Sequence, residues 1–173
     1  FRVEKMKFEK LLSEVAEKKT PIQTDSRKVK PGDCFVAIEG MHFDSHDRIP
    51  EVVQAKAAYV VAEKIHNTKH TPLIIVPNTK KAAAILAQAS MGYPNKKMTN
   101  LAVTGTNGKT TVAYLVHQVI KSAGQKCGLI GTIKYDTGDK VYDADLTTPD
   151  SIHIAEMARQ MVDNGAQYMV IEA

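Results

Sequence analysis

The sequence predicts an α/β protein built as two successive modules: a small N-terminal α/β domain, then the first half of a mostly parallel sheet of the nucleotide-binding type. Three observations carry this prediction. Short apolar runs such as Tyr59-Val-Val-Ala62, Leu73-Ile-Ile-Val76 and Tyr168-Met-Val-Ile171 alternate with stretches of helical periodicity. The segment Gly92-Tyr-Pro-Asn-Lys-Lys-Met-Thr99 is polar and contains helix breakers, which puts a boundary between modules of residues 1–96 and 97–173. Finally, Val103-Thr-Gly-Thr-Asn-Gly-Lys-Thr-Thr111 links an apolar run to a helical pattern through two glycines.

In chain order, Phe8, Leu11, Leu12, Val15 and Ala16 fall at helical spacing, and Lys18-Lys19-Thr20-Pro21 closes that helix. Asp25-Ser-Arg27 reads as a capped turn, Val29 to Asp33 as a turn, and Cys34 to Ile38 as a strand. A helix is expected over Ile49 to Ala57, strands over Ala58 to Ala62 and Leu73 to Val76, and a helix over Thr79 to Met91 with Thr79 as its cap. The second module is expected as a strand at 100–104, a helix at 109–122, a strand at 127–132, a hairpin turning near Thr137-Gly-Asp139, a helix at 151–163 and a strand at 167–172. In such a sheet a ligand lies at the carboxyl ends of the strands.

Composition narrows the function. The chain has 173 residues, 43% hydrophobic and 24% charged, enough to bury proper cores. Its formal charge of +4 is spread as lysines through the first hundred residues. There is neither an arginine stripe nor interleaved aromatics, so an anionic small molecule is expected rather than nucleic acid. No run approaches a membrane span and the N-terminus lacks a signal-peptide core, so a soluble cytoplasmic protein without membrane insertion is expected. Cys34 and Cys127 sit in apolar runs and read as reduced core thiols. Phe1 is not an initiator, and the last strand pattern is followed at once by the end of the sequence; both suggest a piece of a longer protein.

The turn at 105–111 carries the strongest chemistry. Gly105 and Gly108 let the backbone approach a ligand and aim N–H groups at phosphate oxygens, with Thr106 and Asn107 between them. Lys109 adds a mobile positive charge, the helix start a partial one, and Thr110 and Thr111 follow as hydroxyls, Thr110 placed for magnesium. A standard P-loop has four residues between its first glycine and the Gly-Lys pair, whereas two stand here, so the match is to a shortened loop. Glu172, at the end of an apolar strand, can hold magnesium directly or through water, or be an ordinary strand-end surface residue. Thr147-Thr-Pro-Asp150 starts a helix capped by Asp150 or Ser151, and Thr147 and Thr148 can also bind an anionic acceptor. In the first module Arg27 offers a fork for phosphate or carboxylate, and His42 and Phe43 a ring edge and an apolar face for a base. His42 and His46 stand at i, i+4 but lack a third ligand, so no metal site is expected there; His66 and His70 read as solvated, and His117 and His153 as helix residues without a chemical role.

Gly105-Thr-Asn-Gly-Lys-Thr-Thr111 resembles the ATP loop of the Mur ligases, the ATP-dependent amide-forming enzymes of peptidoglycan precursor synthesis. The loop alone also admits folylpolyglutamate synthetase. Thr24-Asp-Ser-Arg27, Pro31-Gly-Asp33, Phe35-Val-Ala37, Gly128-Leu-Ile-Gly-Thr132 and Thr147-Thr-Pro-Asp150 resemble, within that group, the MurE type. The resemblance runs from about Phe8 to Ala173, with Leu146 standing where many members carry Asn. It implies a uridine-nucleotide-binding first domain, an ATP-binding second domain cut short, and a third, amino-acid-binding domain beyond this chain. It implies ATP and magnesium as cofactors, with catalysis by Lys109, ATP-phosphate binding by 105–111, and metal binding by Thr110 and Glu172. Ser26, Arg27, Met41, His42, Phe43, Thr147 and Thr148 would hold the acceptor, UDP-N-acetylmuramoyl-L-alanyl-D-glutamate. The reaction implied joins a diamino acid, lysine or meso-diaminopimelate, to that acceptor in the bacterial cytoplasm, by a protein monomeric at full length; this piece alone is expected to be inactive. The alternatives are another ligase of the superfamily, on folate or a different muramoyl peptide, and a nucleotide-binding module without catalysis.

Overall fold

The computed structural model describes residues 7–40, 43–144 and 149–173. The chain divides into two compact units, Phe1–Gly92 and Tyr93–Ala173.

In the first unit the strands β1 (Ile22–Gln23), β2 (Cys34–Val36), β3 (Tyr59–Ala62) and β4 (Leu73–Ile75) form a parallel sheet in chain order. Every residue of β2 and β3 is buried, as expected of parallel strands covered on both faces. Pleating splits them. Phe35, Val60, Ala62 and Leu73 pack with Ile49 and Val52 of helix α2 (Ile49–Gln54). Tyr59 points to the other face, where its hydroxyl bonds Glu14 of α1 (Phe8–Lys18). Leu11 and Val15 are the buried residues of α1, at the i, i+4 spacing that lays two side chains on one stripe. α3 (Thr79–Ser90) lies beside α1 and against β1 and β2.

β1 was not foreseen: two residues with no alternation to read, held by pairing with Cys34 and Phe35. α2 stops at Gln54 rather than Ala57, because Lys56 takes a left-handed conformation (φ 62°) and the Lys56 and Ala57 amides turn back to the Val53 and Val52 carbonyls. The cap of α3 is Asn78, whose Oδ1 accepts from the Lys81 amide at 2.7 Å; Thr79 is the first helical residue. β2 ends at Val36 rather than Ile38, whose N–H donates to Ser45 Oγ (2.6 Å) and whose carbonyl accepts from that hydroxyl (3.0 Å).

In the second unit the sheet runs β5 (Thr99–Val103), β9 (Tyr168–Glu172), β6 (Cys127–Ile130), β7 (Lys134–Asp136), β8 (Val141–Asp143). β5, β9 and β6 are parallel; β6, β7 and β8 are antiparallel neighbours, giving the expected hairpin. α4 (Lys109–Ser122) covers one face through Ala113, Val116 and Ile120 against Leu129 and Val170. α5 (Ser151–Asp163) covers the other through Ala158 and Met161 against Ile130 and Met169. Gly128 permits that approach, since a Cβ there would lie 2.2 Å from Met161 Sδ. β6 stops at Ile130 rather than 132, because the Gly131 amide bonds the Lys134 carbonyl and closes a tight turn.

Cys34 and Cys127 are free and buried, as expected. Burial pushes both thiols up, Cys127 to about 11, so neither is a thiolate nucleophile near neutrality. Among the described residues no helix is long and apolar enough to cross a membrane.

Candidate functional site

The second unit brings its predicted phosphate-loop and metal residues to one place. β5, β9 and β6 end side by side, and their carboxyl ends deliver the glycine loop, Glu172 and the Gly131-Thr132 turn. Gly105 (φ 151°) and Gly108 (φ 75°) hold backbone angles that other residues rarely adopt. Gly108 is the N-cap of α4 and supplies no side-chain cap, so the first turn presents amide N–H groups to a ligand. Residues 104–108 are exposed. Lys109 folds back over the loop, its Nζ donating to the Gly105 carbonyl at 2.8 Å.

Glu172 is not the surface residue that its strand-end position allowed. It is fully buried, and its carboxylate gathers hydrogen bonds from two other segments. Thr110 Oγ1 donates to Oε2 at 2.9 Å, Thr132 Oγ1 to Oε2 at 2.9 Å, and the Thr132 amide to Oε1 at 3.0 Å. A buried carboxylate is costly unless such bonds compensate it. Tyr114 stands alongside: burial, with a smaller contribution from Glu172 and opposed by the Lys134 backbone, raises its phenol. Thr132 had appeared only inside a family-like motif, with no role assigned. No local signal could reveal its partner, which lies 40 residues away.

Among the described residues no group of three His, Cys, Asp or Glu could hold a metal ion. The donor set here suits a different arrangement, in which magnesium takes one carboxylate and hydroxyl oxygen and keeps waters and ligand phosphates for the rest. Thr110 and Glu172, 2.9 Å apart, fit that chemistry.

In the first unit a cleft of about 500 Å³ is lined by Thr24, Asp25, Ser26, Arg27, Phe43, Arg48 and Glu51. Three predicted residues, Ser26, Arg27 and Phe43, meet there. Met41 and His42 lie outside the described residues, as do Thr147 and Thr148. Asp25 caps the 3₁₀ turn Ser26–Lys28 by accepting from the Arg27 amide at 3.0 Å. The same carboxylate takes the Arg27 fork, Nε at 2.9 Å and Nη2 at 2.8 Å. These bonds lower the Asp25 pKa to about 2. Phe43 is 55% exposed, with the Arg48 guanidinium 5.9 Å from its ring centre. Arg48 and Glu51, paired at 2.7 Å, were missed; their signal was an arginine directly after Asp44-Ser-His-Asp47, a segment read for histidine chemistry alone.

His46 is not a free ligand. Its Nδ1 and backbone amide both bond Asp44 Oδ1, at 2.5 and 2.9 Å, and Nε2 faces the Glu63 amide at 3.3 Å. With an N–H donating to Nε2, the tautomer carries its proton on Nδ1. His66 stacks on it with ring centres 5.4 Å apart, so its expected solvation is corrected: it is half-buried.

Comparison with known proteins accounts for both units. A family model described as the Mur ligase middle domain matches residues 103–173, and one described as the Mur ligase family, catalytic domain, matches residues 20–102. The chain belongs to the Mur ligase family. This Mur ligase chain is 40% identical over 151 residues to a UDP-N-acetylmuramoyl-L-alanyl-D-glutamate–2,6-diaminopimelate ligase of Geobacillus thermodenitrificans, covering 87% of this chain and 31% of that protein. To the protein of that name from Listeria monocytogenes serotype 4b it is also 40% identical, covering 87% of this chain and 30% of the relative. It thus spans about a third of the length of these relatives. A solved structure of a ligase with the same name superimposes with a TM-score of 0.69 at 23% identity, over 88% of this chain and 31% of that one. The MurF ligase of Thermotoga maritima, solved with ADP, gives 0.58 at 23% identity, over 89% and 32%. At these identities the structures speak for the fold: an N-terminal and a middle Mur ligase domain, each an α/β unit.

Proposed function

We propose that this chain forms the acceptor-binding and ATP-binding parts of an enzyme that adds a diamino acid to UDP-N-acetylmuramoyl-L-alanyl-D-glutamate. The observation that carries the reading is the convergence of Thr110 and Thr132 on a buried Glu172 beside a shortened Gly-Thr-Asn-Gly-Lys loop. The relatives' names favour diaminopimelate over lysine as the added amino acid.

In this reading the acceptor's terminal carboxylate oxygen attacks the γ-phosphorus of ATP, and the bond to ADP breaks, giving an acyl phosphate. The amine of the incoming amino acid then attacks the acyl carbon, loses a proton and expels phosphate. The loop amides of 105–109 and the α4 N-terminus bind the phosphates, and Lys109 swings from the Gly105 carbonyl to the transferring group. Thr110 and Glu172 would hold magnesium, which would supply charge neutralisation at the phosphoryl oxygens. Ser26, Arg27 and Phe43, with Met41 and His42, hold the uridine end, while Thr147 and Thr148 hold the muramoyl-peptide end. Holding the remote nucleotide supplies position to a weak nucleophile, the carboxylate. ATP and nucleotide-linked precursors as substrates imply a cytoplasmic enzyme.

The test is phosphate release by the full-length protein given ATP, magnesium, UDP-N-acetylmuramoyl-dipeptide and diaminopimelate. Turnover is expected only with all components, and Lys109→Ala should lower it by about 10²-fold or more. Turnover with a folate acceptor instead, or none with any acceptor, overturns the proposal.

A further inference from the structure

We propose that Thr132 is a positioning residue for the divalent cation of the phosphate loop, acting through Glu172. The inference rests on the ATP-binding reading above and concerns a residue that does not itself belong to that loop.

Thr132 grips both oxygens of one carboxylate: its amide bonds Oε1 at 3.0 Å and its hydroxyl bonds Oε2 at 2.9 Å. Two contacts from one residue fix the plane of the carboxylate as well as its place. The gripping residue is itself fixed, because the turn it occupies is closed by the Gly131 amide on the Lys134 carbonyl at 3.2 Å, at the start of β7. Gly131 leaves the room: a Cβ there would stand 2.6 Å from Glu172 Oε1, closer than any real contact. Thr132 is exposed while Glu172 is fully buried, so the threonine lies over the carboxylate on its solvent side.

Oε2 accepts from two hydroxyls, those of Thr110 and Thr132. A hydroxyl rotates and has lone pairs as well as a proton. When a cation arrives, Thr110 can turn a lone pair to it, and Thr132 keeps the carboxylate from rotating away. Outer partners of this kind typically govern metal affinity by ~10- to 100-fold.

The experiment uses the full-length protein and reads manganese binding by electron paramagnetic resonance in the presence of ATP, alongside ATP affinity measured without metal. Thr132→Val removes the hydroxyl at nearly constant volume, and Thr132→Ser restores it. Val is expected to weaken manganese affinity at least ~10-fold, with metal-free ATP affinity unchanged and Ser within ~3-fold of wild type. Thr132→Ala repeats the loss should Val disturb folding as judged by circular dichroism. Wild-type affinity in both Val and Ala variants, or a loss in Ser equal to that in Val, overturns the role of Thr132 alone. Wild-type protein that binds no manganese with ATP overturns this inference and the ATP reading together.

Discussion

Phe43 lines the cleft beside Ser26 and Arg27 and presents a broad apolar face to solvent, 55% exposed with Arg48 over one side. An aromatic in that setting is suited to stack on a nucleobase, a contact that alanine substitution typically values at ~1–3 kcal/mol. Phe43→Ala should therefore weaken binding of uridine diphosphate to the full-length protein about 10-fold, measured by calorimetry; unchanged affinity would remove Phe43 from the site. Arg27 presents a different case, since its fork is engaged by Asp25 in an exposed pair of modest intrinsic strength. The Asp25 pKa is depressed to about 2, so any stability from the pair is present above the usual aspartate range and fades as pH falls toward about 2. Arg27 thus meets a ligand with its charge already partly answered. Side-chain type offered Arg27 and Phe43 as candidates, while Ser26 entered through the family resemblance; the cleft brings the three together. Thr132 could not be read in this way: what it touches depends on which strands become neighbours, and no local pattern encodes that.

Two of the helices follow closely from periodicity and breakers, whereas α2 is cut short by the turn at Lys56. α4 and α5 begin and end where glycine, an aspartate cap and the loss of apolar spacing put them. Strand ends were harder, because they are set by hydrogen bonds to distant loops, as Ile38 is by Ser45 and the Gly131 turn by Lys134. α5 lies close on β6 at Gly128. A methyl at Gly128 would fall 2.2 Å from Met161 Sδ, and Met161 is fully buried with little room to move. Gly128→Ala should destabilise the second unit by about 1–3 kcal/mol in urea denaturation, as overpacking does. Met161→Ala leaves a cavity and should cost about 2–5 kcal/mol alone. The double variant should lose clearly less than the sum, because each change fills or relieves the other. Simple additivity would show that the two positions do not press on one another.

Across the molecule, two imidazoles, the fully buried His117 and the half-buried His66, link stability to pH, one in each unit. Burial lowers the pKa of His117, opposed by Asp136 and the Cys127 carbonyl and aided by Lys121 and Lys134. Burial also lowers His66, aided by His46 and Lys64 and opposed by Asp44 and Asp47. A base whose folded pKa lies below its unfolded value binds more protons when unfolded. Its contribution is fully present above about 6.5 and is lost as pH falls from there. Denaturant midpoints should drop between pH 7.5 and pH 5.5, and His117→Gln should shrink that drop while His66 sustains the remainder. A midpoint independent of pH over this range, in wild type, would refute the linkage. β5 pairs with β9 so that Val103 faces Glu172, and β6 pairs with β9 on its other side. Thr110 follows the first strand, Thr132 the second, and both reach the same side chain. A slip of β9 by one residue would offer them the hydrocarbon of Ile171 and turn the glutamate to the opposite face. Ligand affinity at the glycine loop is therefore a gauge of strand alignment: a misaligned sheet could retain its secondary structure and its compactness, and would still be betrayed by the cation it fails to hold.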